Sequence, residues 1–301
     1  MAWILLPLCA QLLYTTGSFI DKYLLQRYFS SGKTGALLIF GAIMGFLLLP
    51  IIWLIEPNAL SISVRDALLL IASGLLFNLY LLPYLAALSR DETSNVVSVF
   101  QIIPVLGFIF GFIFLGETLT LEQIIGGLVV VGGSVALTVH KREGRRINAR
   151  AFFLMLLASF FIAVASLLFK FSAIETTYWT SVFWQTIGLL LFGAIIFSIP
   201  SYRFQFMGVA KKISSSFIAL NFINESIAII AGLLVLYAYL LAPLALVQIL
   251  NGFQPFFLLL FGFILTKLFP HIFKEAIDRK SVGTKVIIMA FMVFGLYILY
   301  N

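Results

Sequence analysis

Three polar residues, Asn221, Asn224 and Glu225, lie within a long apolar stretch of the sequence. Of the twelve acidic residues, Glu225 is the only one near the middle of such a stretch. In a helix their spacing places the three side chains on roughly one face. Because hydrocarbon surroundings favour the neutral form of a carboxyl group, Glu225 is suited to carry a proton or to bind the amine of a solute. A neutral acid bonded to another helix is the structural alternative.

Other polar residues recur at helical spacing in further apolar stretches. Gln11, Thr15, Ser18 and Lys22 follow steps of four, three and four residues and form one stripe. Polar side chains are costly in hydrocarbon and usually face a partner or a wet cavity. We therefore expect a shared polar cavity, although hydrogen bonding between helices could explain any one residue. The remaining pathway candidates are Asn78, Tyr80, Tyr84, Ser98, Gln101, Trp184, Gln185, Gln248, Asn251 and Gln254.

Lys22 and Lys170 occupy equivalent positions in two related segments that are 148 residues apart. At opposite mouths of a pathway, each lysine could attract an anionic group. Alternatively, each extends its charged end to the membrane surface, and we favour this second interpretation.

Membrane-spanning helices must position these residues. Hydrophobic residues make up 62% of the 301 positions and charged residues 10%, whereas soluble domains carry about 25% charged residues. A helix needs about 20 apolar residues to cross the bilayer, so the sequence predicts an all-α integral membrane protein with ten transmembrane helices. The ten apolar runs fall near residues 2–25, 34–55, 66–88, 94–115, 121–140, 149–172, 178–199, 213–240, 242–266 and 282–300.

An internal repeat divides these runs into two sets of five. Pro104 and the segment 110–113 recur at Pro255 and 261–264, an offset of 151 residues. Because each copy holds an odd number of helices, the copies are expected to be inverted relative to each other. The predicted organisation is a first five-helix repeat at 1–140, a basic connecting loop at 141–150 and a divergent second five-helix repeat at 151–301.

The repeated prolines, Pro104 and Pro255, fall inside the fourth and ninth runs. A proline in a helix leaves the carbonyl one turn earlier without its usual donor. We therefore expect paired helix bends, which could expose polar backbone to a cavity or act as gates.

Sixteen of the nineteen lysines and arginines lie in the odd-numbered loops. Cytoplasmic loops retain positive charge, so this distribution predicts that the odd-numbered loops are cytoplasmic and that both termini are outside. We expect a multi-pass protein of the plasma (inner) membrane.

The net charge of +7 comes from these loop ends, which does not favour nucleic-acid binding. The single cysteine, Cys9, cannot form an intrachain disulfide. Enzyme sites in membranes need carboxylate pairs, histidine sets or metal ligands, and the sequence offers no such set, so we expect no enzyme activity, cofactor or metal. The expected partners are a small-molecule substrate, the lipid bilayer and protons, and a monomer would suffice.

Residues 84–133 carry a series of short motifs: Tyr84 to Arg90, Pro104-Val105, Gly116-Glu117, Gln123, Gly126 and Gly132-Gly133. This pattern resembles the EamA-like family of the drug/metabolite transporter superfamily. The second half keeps Pro255 but has Thr266-Lys267-Leu268 in place of the Gly-Glu turn. The resemblance implies two five-helix repeats around a central cavity, with cytoplasmic termini. We interpret Gly116-Glu117 as a structural turn that ends helix four, with Thr120 as the N-cap of helix five.

Together these features predict a secondary active transporter that exports a small polar or amphipathic, amino-acid-like metabolite. Alternating access around a midplane cavity is the expected mechanism, with proton coupling through Glu225. A flippase for a lipid-linked metabolite is the alternative. A channel is less favoured, because no ring of charges or carbonyls is evident.

Overall fold

The computed structural model describes residues 1–28, 34–91, 93–138, 148–210, 215–268 and 279–300, and these contain helices and no strand. Most of the basic connecting loop, residues 141–147, lies outside the described residues. The α-helices are α1 (Ala2–Tyr28), α2 (Thr34–Ile55), α3 (Val64–Leu79), α4 (Leu81–Leu88), α5 (Thr93–Ser98), α6 (Ile103–Leu115), α7 (Leu121–Thr138), α8 (Ala149–Ala173), α9 (Tyr178–Ser198), α10 (Pro200–Ala210), α11 (Ser215–Leu241), α12 (Leu244–Asn251), α13 (Gln254–Leu268) and α14 (Arg279–Tyr300).

Eight helical stretches in the described residues are long and apolar enough to cross a membrane, and two shorter apolar helices lie at Ile43–Ile55 and Leu121–Leu137. Each of the ten apolar runs coincides with one helix or one interrupted helix, and the ends agree to within three residues. Large apolar side chains such as Leu54, Phe153 and Tyr297 are exposed on the outward faces. The predicted all-helical membrane architecture is therefore confirmed. The arrangement as ten spans in two inverted repeats stays a prediction.

Three of the long helices are interrupted, and each interruption lies about one turn before a proline. The α3–α4 break follows Leu79, four residues before Pro83. A 3-10 turn at Val99–Ile102, two to five residues before Pro104, separates α5 from α6. The α12–α13 break at Gly252 lies three residues before Pro255. A proline has no N–H for the carbonyl four residues earlier, and its ring crowds that carbonyl, which explains the interruptions.

Equivalent elements recur in the two halves. The helices α3, α5 and α6 begin 151 residues before α11, α12 and α13, respectively. The packing is also reciprocal, because α1 of the first half packs on α11 of the second, while α8 of the second half packs on α3 and α4 of the first. The pairs α2 with α9 and α7 with α14 join matching helices of the two halves, and α6 packs on α12, the counterpart of α5. This regularity favours an internal duplication.

The helix α10 is an element that the sequence analysis assigned to a loop. It packs on α2 and α9 and leaves Phe204 and Met207 exposed. Arg203 lies over the Phe204 ring at 5.9 Å.

The turn between α6 and α7 has the structure that the Gly116-Glu117 motif predicts. Gly116 adopts a left-handed conformation with φ of 64°, which glycine accepts without steric cost. The Thr120 hydroxyl accepts from the Gln123 N–H at 3.3 Å, and the Gln123 side chain accepts from the Thr120 N–H at 3.1 Å. These reciprocal bonds form a capping box that starts α7.

Candidate functional site

Five buried or half-buried polar side chains from four helices meet inside the protein. We call Gln11, Ser166, Tyr239, Gln248 and Asn251 the central cluster. Gln11 Nε2 donates to Asn251 Oδ1 at 2.8 Å, and the hydroxyl oxygens of Ser166 and Tyr239 are 3.2 Å apart. The Tyr239 hydroxyl also lies beside the amides of Gln248 and Asn251. The cluster thus joins α1 of the first half to α8, α11 and α12 of the second.

A group of aromatic rings adjoins this cluster. The rings of Tyr84 and Phe100 are 5.4 Å apart, and Tyr80 lies about 6 Å from both. Tyr14 lies near both Tyr80 and Tyr239 and so links the rings to the central cluster. Rings with polar hydroxyl groups present both an apolar face and a hydrogen-bonding edge to a solute.

Glycines in or beside the interrupted helices allow glutamine side chains to pack closely against the backbone near the central cluster. Gln248 packs against Gly107 of α6, where a Cβ atom would overlap the Gln248 amide oxygen. Gln101 Oε1 would lie 3.1 Å from a Cβ at Gly252. The breaks before Pro104 and Pro255 therefore both border the predicted pathway.

Asn221, Asn224 and Glu225 form a second group on α11, facing α1. Asn221 and Asn224 are buried, and Glu225 is half-buried. Asn224 Nδ2 donates to Asp21 Oδ1 at 2.7 Å, and the Asp21 and Glu225 carboxyl groups interact electrostatically. Sequence reasoning missed Asp21, which lies on the same face as Ser18 and three residues beyond it. Two acids and two amides here can bind a proton or an amine.

The remaining pathway candidates do not all join these groups. Trp184 donates to the Ala59 carbonyl at 2.8 Å and so holds the α2–α3 connection to α9. Gln185 donates to the Ser73 hydroxyl at 3.1 Å and so joins α9 to α3. Ser18 bonds to the Tyr14 carbonyl of its own helix. Asn78, Ser98 and Gln254 are half-buried. The side chain of Lys22 lies outside the described residues.

Lys170 does not extend to the membrane surface, and the preferred interpretation of this residue is wrong. Its side chain is 7% exposed and forms an ion pair with Glu117 Oε1. Its ammonium group also donates to the Ala242 carbonyl at 2.6 Å. The expectation failed because the turn after α6 brings a carboxylate from the first half to the end of α8.

Near this end of the bundle, a cavity of about 540 Å³ opens between the α2–α3 and α8–α9 connections. Its lining includes Glu56, Asp66 and Glu175 with several hydroxyl groups. The α2–α3 and α8–α9 connections are even-numbered loops, and few of the lysines and arginines lie in those loops. Among the described residues, no group of three His, Cys, Asp or Glu side chains is arranged to hold a metal ion.

Tyr14, Tyr239 and Glu117 were also missed by sequence reasoning. Tyr14 lies on the stripe of Gln11 and Ser18, so the helical spacing could have identified it. Nothing in the sequence distinguishes Tyr239 from the neighbouring Tyr237, which is exposed. Glu117 was assigned only a role in the turn.

Long apolar helices with apolar outward faces and hydrogen-bonded polar groups inside define an integral, multi-pass membrane protein. Residues 1–139 match the sequence model of the EamA-like transporter family, which is part of the drug/metabolite transporter superfamily. The first half of this chain therefore matches a family of membrane transporters, and the members of that family are transporters rather than enzymes.

The fold has a solved counterpart over nearly the whole chain. A crystal structure of another protein superposes on this chain with a TM-score of 0.68 at 16% sequence identity, covering 98% of this chain and 95% of the other. At that identity the likeness concerns the fold alone. No curated protein matches this chain.

Proposed function

We propose that the protein is a secondary carrier that exports a small polar or amphipathic solute by alternating access. The observation that carries the proposal is the central cluster, in which side chains from both halves bond to each other inside a membrane protein. Polar groups inside a carrier can exchange these mutual bonds for bonds to a solute.

The reciprocal helix pairing supports alternating access. Two inverted halves that pack on each other with interchanged partners can rock around a fixed site, so that each half in turn closes one side. The interrupted helices α5–α6 and α12–α13 would supply the bends, next to Pro104 and Pro255.

The chemistry of the lining supports an amino-acid-like or mildly amphipathic solute. Amide and tyrosine groups offer hydrogen bonds in both directions, while the rings of Tyr80, Tyr84 and Phe100 offer an apolar face. The acids Asp21 and Glu225 suit an amine or a proton. No polyanion is favoured by this combination.

The decisive test is solute flux into proteoliposomes containing the purified protein. A panel of amino acids, amines, organic acids and nucleosides would be measured with and without a pH gradient. We expect saturable uptake of an amino-acid-like solute that responds to the gradient. Absence of saturable flux for every solute of the panel would overturn the proposal that the protein is a carrier. A flux that does not change under the pH gradient would exclude proton coupling.

Glu225→Gln is expected to abolish the response to the pH gradient, because an amide has the size of the acid but cannot take up and release a proton. Solute exchange without a gradient should persist at a measurable rate. Gradient-driven flux and solute-for-solute exchange are to be measured on the same vesicles. Glu122→Gln is the matched control, since Glu122 is exposed at the start of α7 and should retain the response. Full gradient-driven flux by Glu225→Gln would remove this residue from the coupling.

A further inference from the structure

The ion pair between Glu117 and Lys170 has more partners than a simple bridge. Glu117 Oε2 accepts from the Leu244 N–H at 2.7 Å, while Lys170 Nζ donates to the Ala242 carbonyl at 2.6 Å. Ala242 and Leu244 flank Pro243 in the turn from α11 to α12. The two charged groups therefore hold this turn from both sides.

The first half is shaped to deliver the Glu117 carboxylate to that turn. The left-handed Gly116 reverses the chain after α6, and the Glu117 N–H donates to the Gly111 carbonyl at 3.0 Å. A Cβ atom at Gly111 would lie 2.5 Å from Glu117 Oε2. The absence of a side chain at Gly111 thus leaves the space that the carboxylate occupies.

The held turn connects the helices that carry most of the central cluster. Tyr239 lies three residues before Ala242, and Gln248 and Asn251 lie four and seven residues after Leu244. In a helix, residues at spacings of four and seven share a face. Lys170 also lies four residues after Ser166 on α8, about 6 Å farther along the helix axis.

We propose that Glu117 and Lys170 are positioning residues of the transport site, which fix the α11–α12 turn so that Tyr239, Gln248 and Asn251 face the solute. This inference rests on the proposed carrier function. A buried ion pair is weak evidence for stability alone, because two apolar residues can often replace it without loss. Its position at the turn between two site-bearing helices accounts for the placement of two charges inside the bundle.

The test compares Glu117→Gln, Lys170→Met and the double variant. Each single variant leaves one buried charge unpaired and should lower the melting temperature, whereas the double variant leaves none and should recover much of it. Despite this recovery, we expect hydrogen exchange in peptides covering 242–251 to be about tenfold faster than in the wild type. The KM for the transported solute should rise about tenfold, with a smaller change in maximal flux.

Ser73→Ala is the matched control. Ser73 is buried, accepts from Gln185 and donates to the Ala165 carbonyl, so its loss should lower the melting temperature without altering exchange at 242–251 or the KM. A double variant with wild-type exchange at 242–251 and wild-type KM would overturn the proposal. If the wild type transports no solute of the panel, the proposed function fails. In that case hydrogen exchange still tests the ion pair. Wild-type exchange at 242–251 in the double variant would refute its role, and faster exchange would show that the ion pair holds the turn.

Discussion

Gly74→Leu is expected to prevent formation of the folded protein. A Cβ atom at Gly74 would overlap the Gln185 carbonyl of α9 and lie 2.9 Å from the Leu189 nitrogen. On the facing helix, a Cβ at Gly188 would lie 3.0 Å from Gly74 Cα. Because backbone atoms rather than flexible side chains fill this space, α3 and α9 would have to separate. Small residues permit such close crossings in membrane proteins.

Overpacking typically costs about 1–3 kcal/mol even where side chains can adjust, and displacement of a whole helix should cost more. Separation of α3 from α9 would also break the bond from Gln185 to Ser73. We expect at least a tenfold loss of monodisperse protein on size-exclusion chromatography in detergent, since 1.4 kcal/mol corresponds to tenfold.

Gly132→Leu in α7 provides the matched control, because among the described residues no heavy atom outside the local backbone of α7 lies within 4 Å of a Cβ at Gly132. This variant should elute and melt as the wild type does. A monodisperse Gly74→Leu protein with the wild-type melting temperature would refute the close crossing of α3 and α9.

The second large effect is expected for Tyr239→Phe. The substitution removes only the hydroxyl group, which lies 3.2 Å from the Ser166 hydroxyl and beside the amides of Gln248 and Asn251. Loss of a buried hydrogen-bonding partner costs about 1–3 kcal/mol, which corresponds to roughly fivefold to 150-fold in rate or affinity. Transport efficiency in proteoliposomes should fall by that factor, while the yield of folded protein stays close to that of the wild type.

Tyr237→Phe tests whether the loss is specific to the central cluster. Tyr237 lies on the same helix, is 44% exposed and packs against the Tyr178 ring at 5.2 Å. Its hydroxyl has no part in the cluster, so transport should change by less than about twofold. Equal losses in both tyrosine variants would mean that the central cluster does not bind the solute.

The helices of this protein are readable from its sequence because the bilayer imposes strict conditions. A spanning segment needs about 20 apolar residues, and its backbone must bond internally, so hydropathy alone located the ends to within a few residues. The helix α10 does not span and mixes Arg203 with Phe204 and Met207. Without a long apolar run, it could not be distinguished from a loop.

The site was less accessible to sequence reasoning, because helical spacing gives the face of a residue but not its partner. Gln11 was identified as a polar residue on the first stripe, yet its partner Asn251 lies 240 residues away. Lys170 was misinterpreted for the same reason, since nothing local in the sequence indicates that Glu117 comes within reach. Such pairs depend on how the helices rotate and pack.

The offset of 151 residues between the halves identifies the residue of the first half that corresponds to Glu225. A position 151 residues before Glu225 is Gly74, which lies in the close crossing of α3 and α9. One copy thus has a glycine where the helices touch, and the other has an acid beside Asp21. The asymmetry was visible as an unmatched acid in the sequence, but the role of its glycine counterpart required the structure.

The ion pair between Glu117 and Lys170 also bears on where an autonomous folding unit can begin and end. The family match ends at residue 139, but Glu117 and Gln11 have their partners at Lys170, Leu244 and Asn251. Expressed alone, the matched segment would leave a carboxylate and an amide without those partners. The segment that matches the family is therefore smaller than the segment within which these polar groups find their partners. We expect residues 1–139 to assemble only when the second half is produced with them.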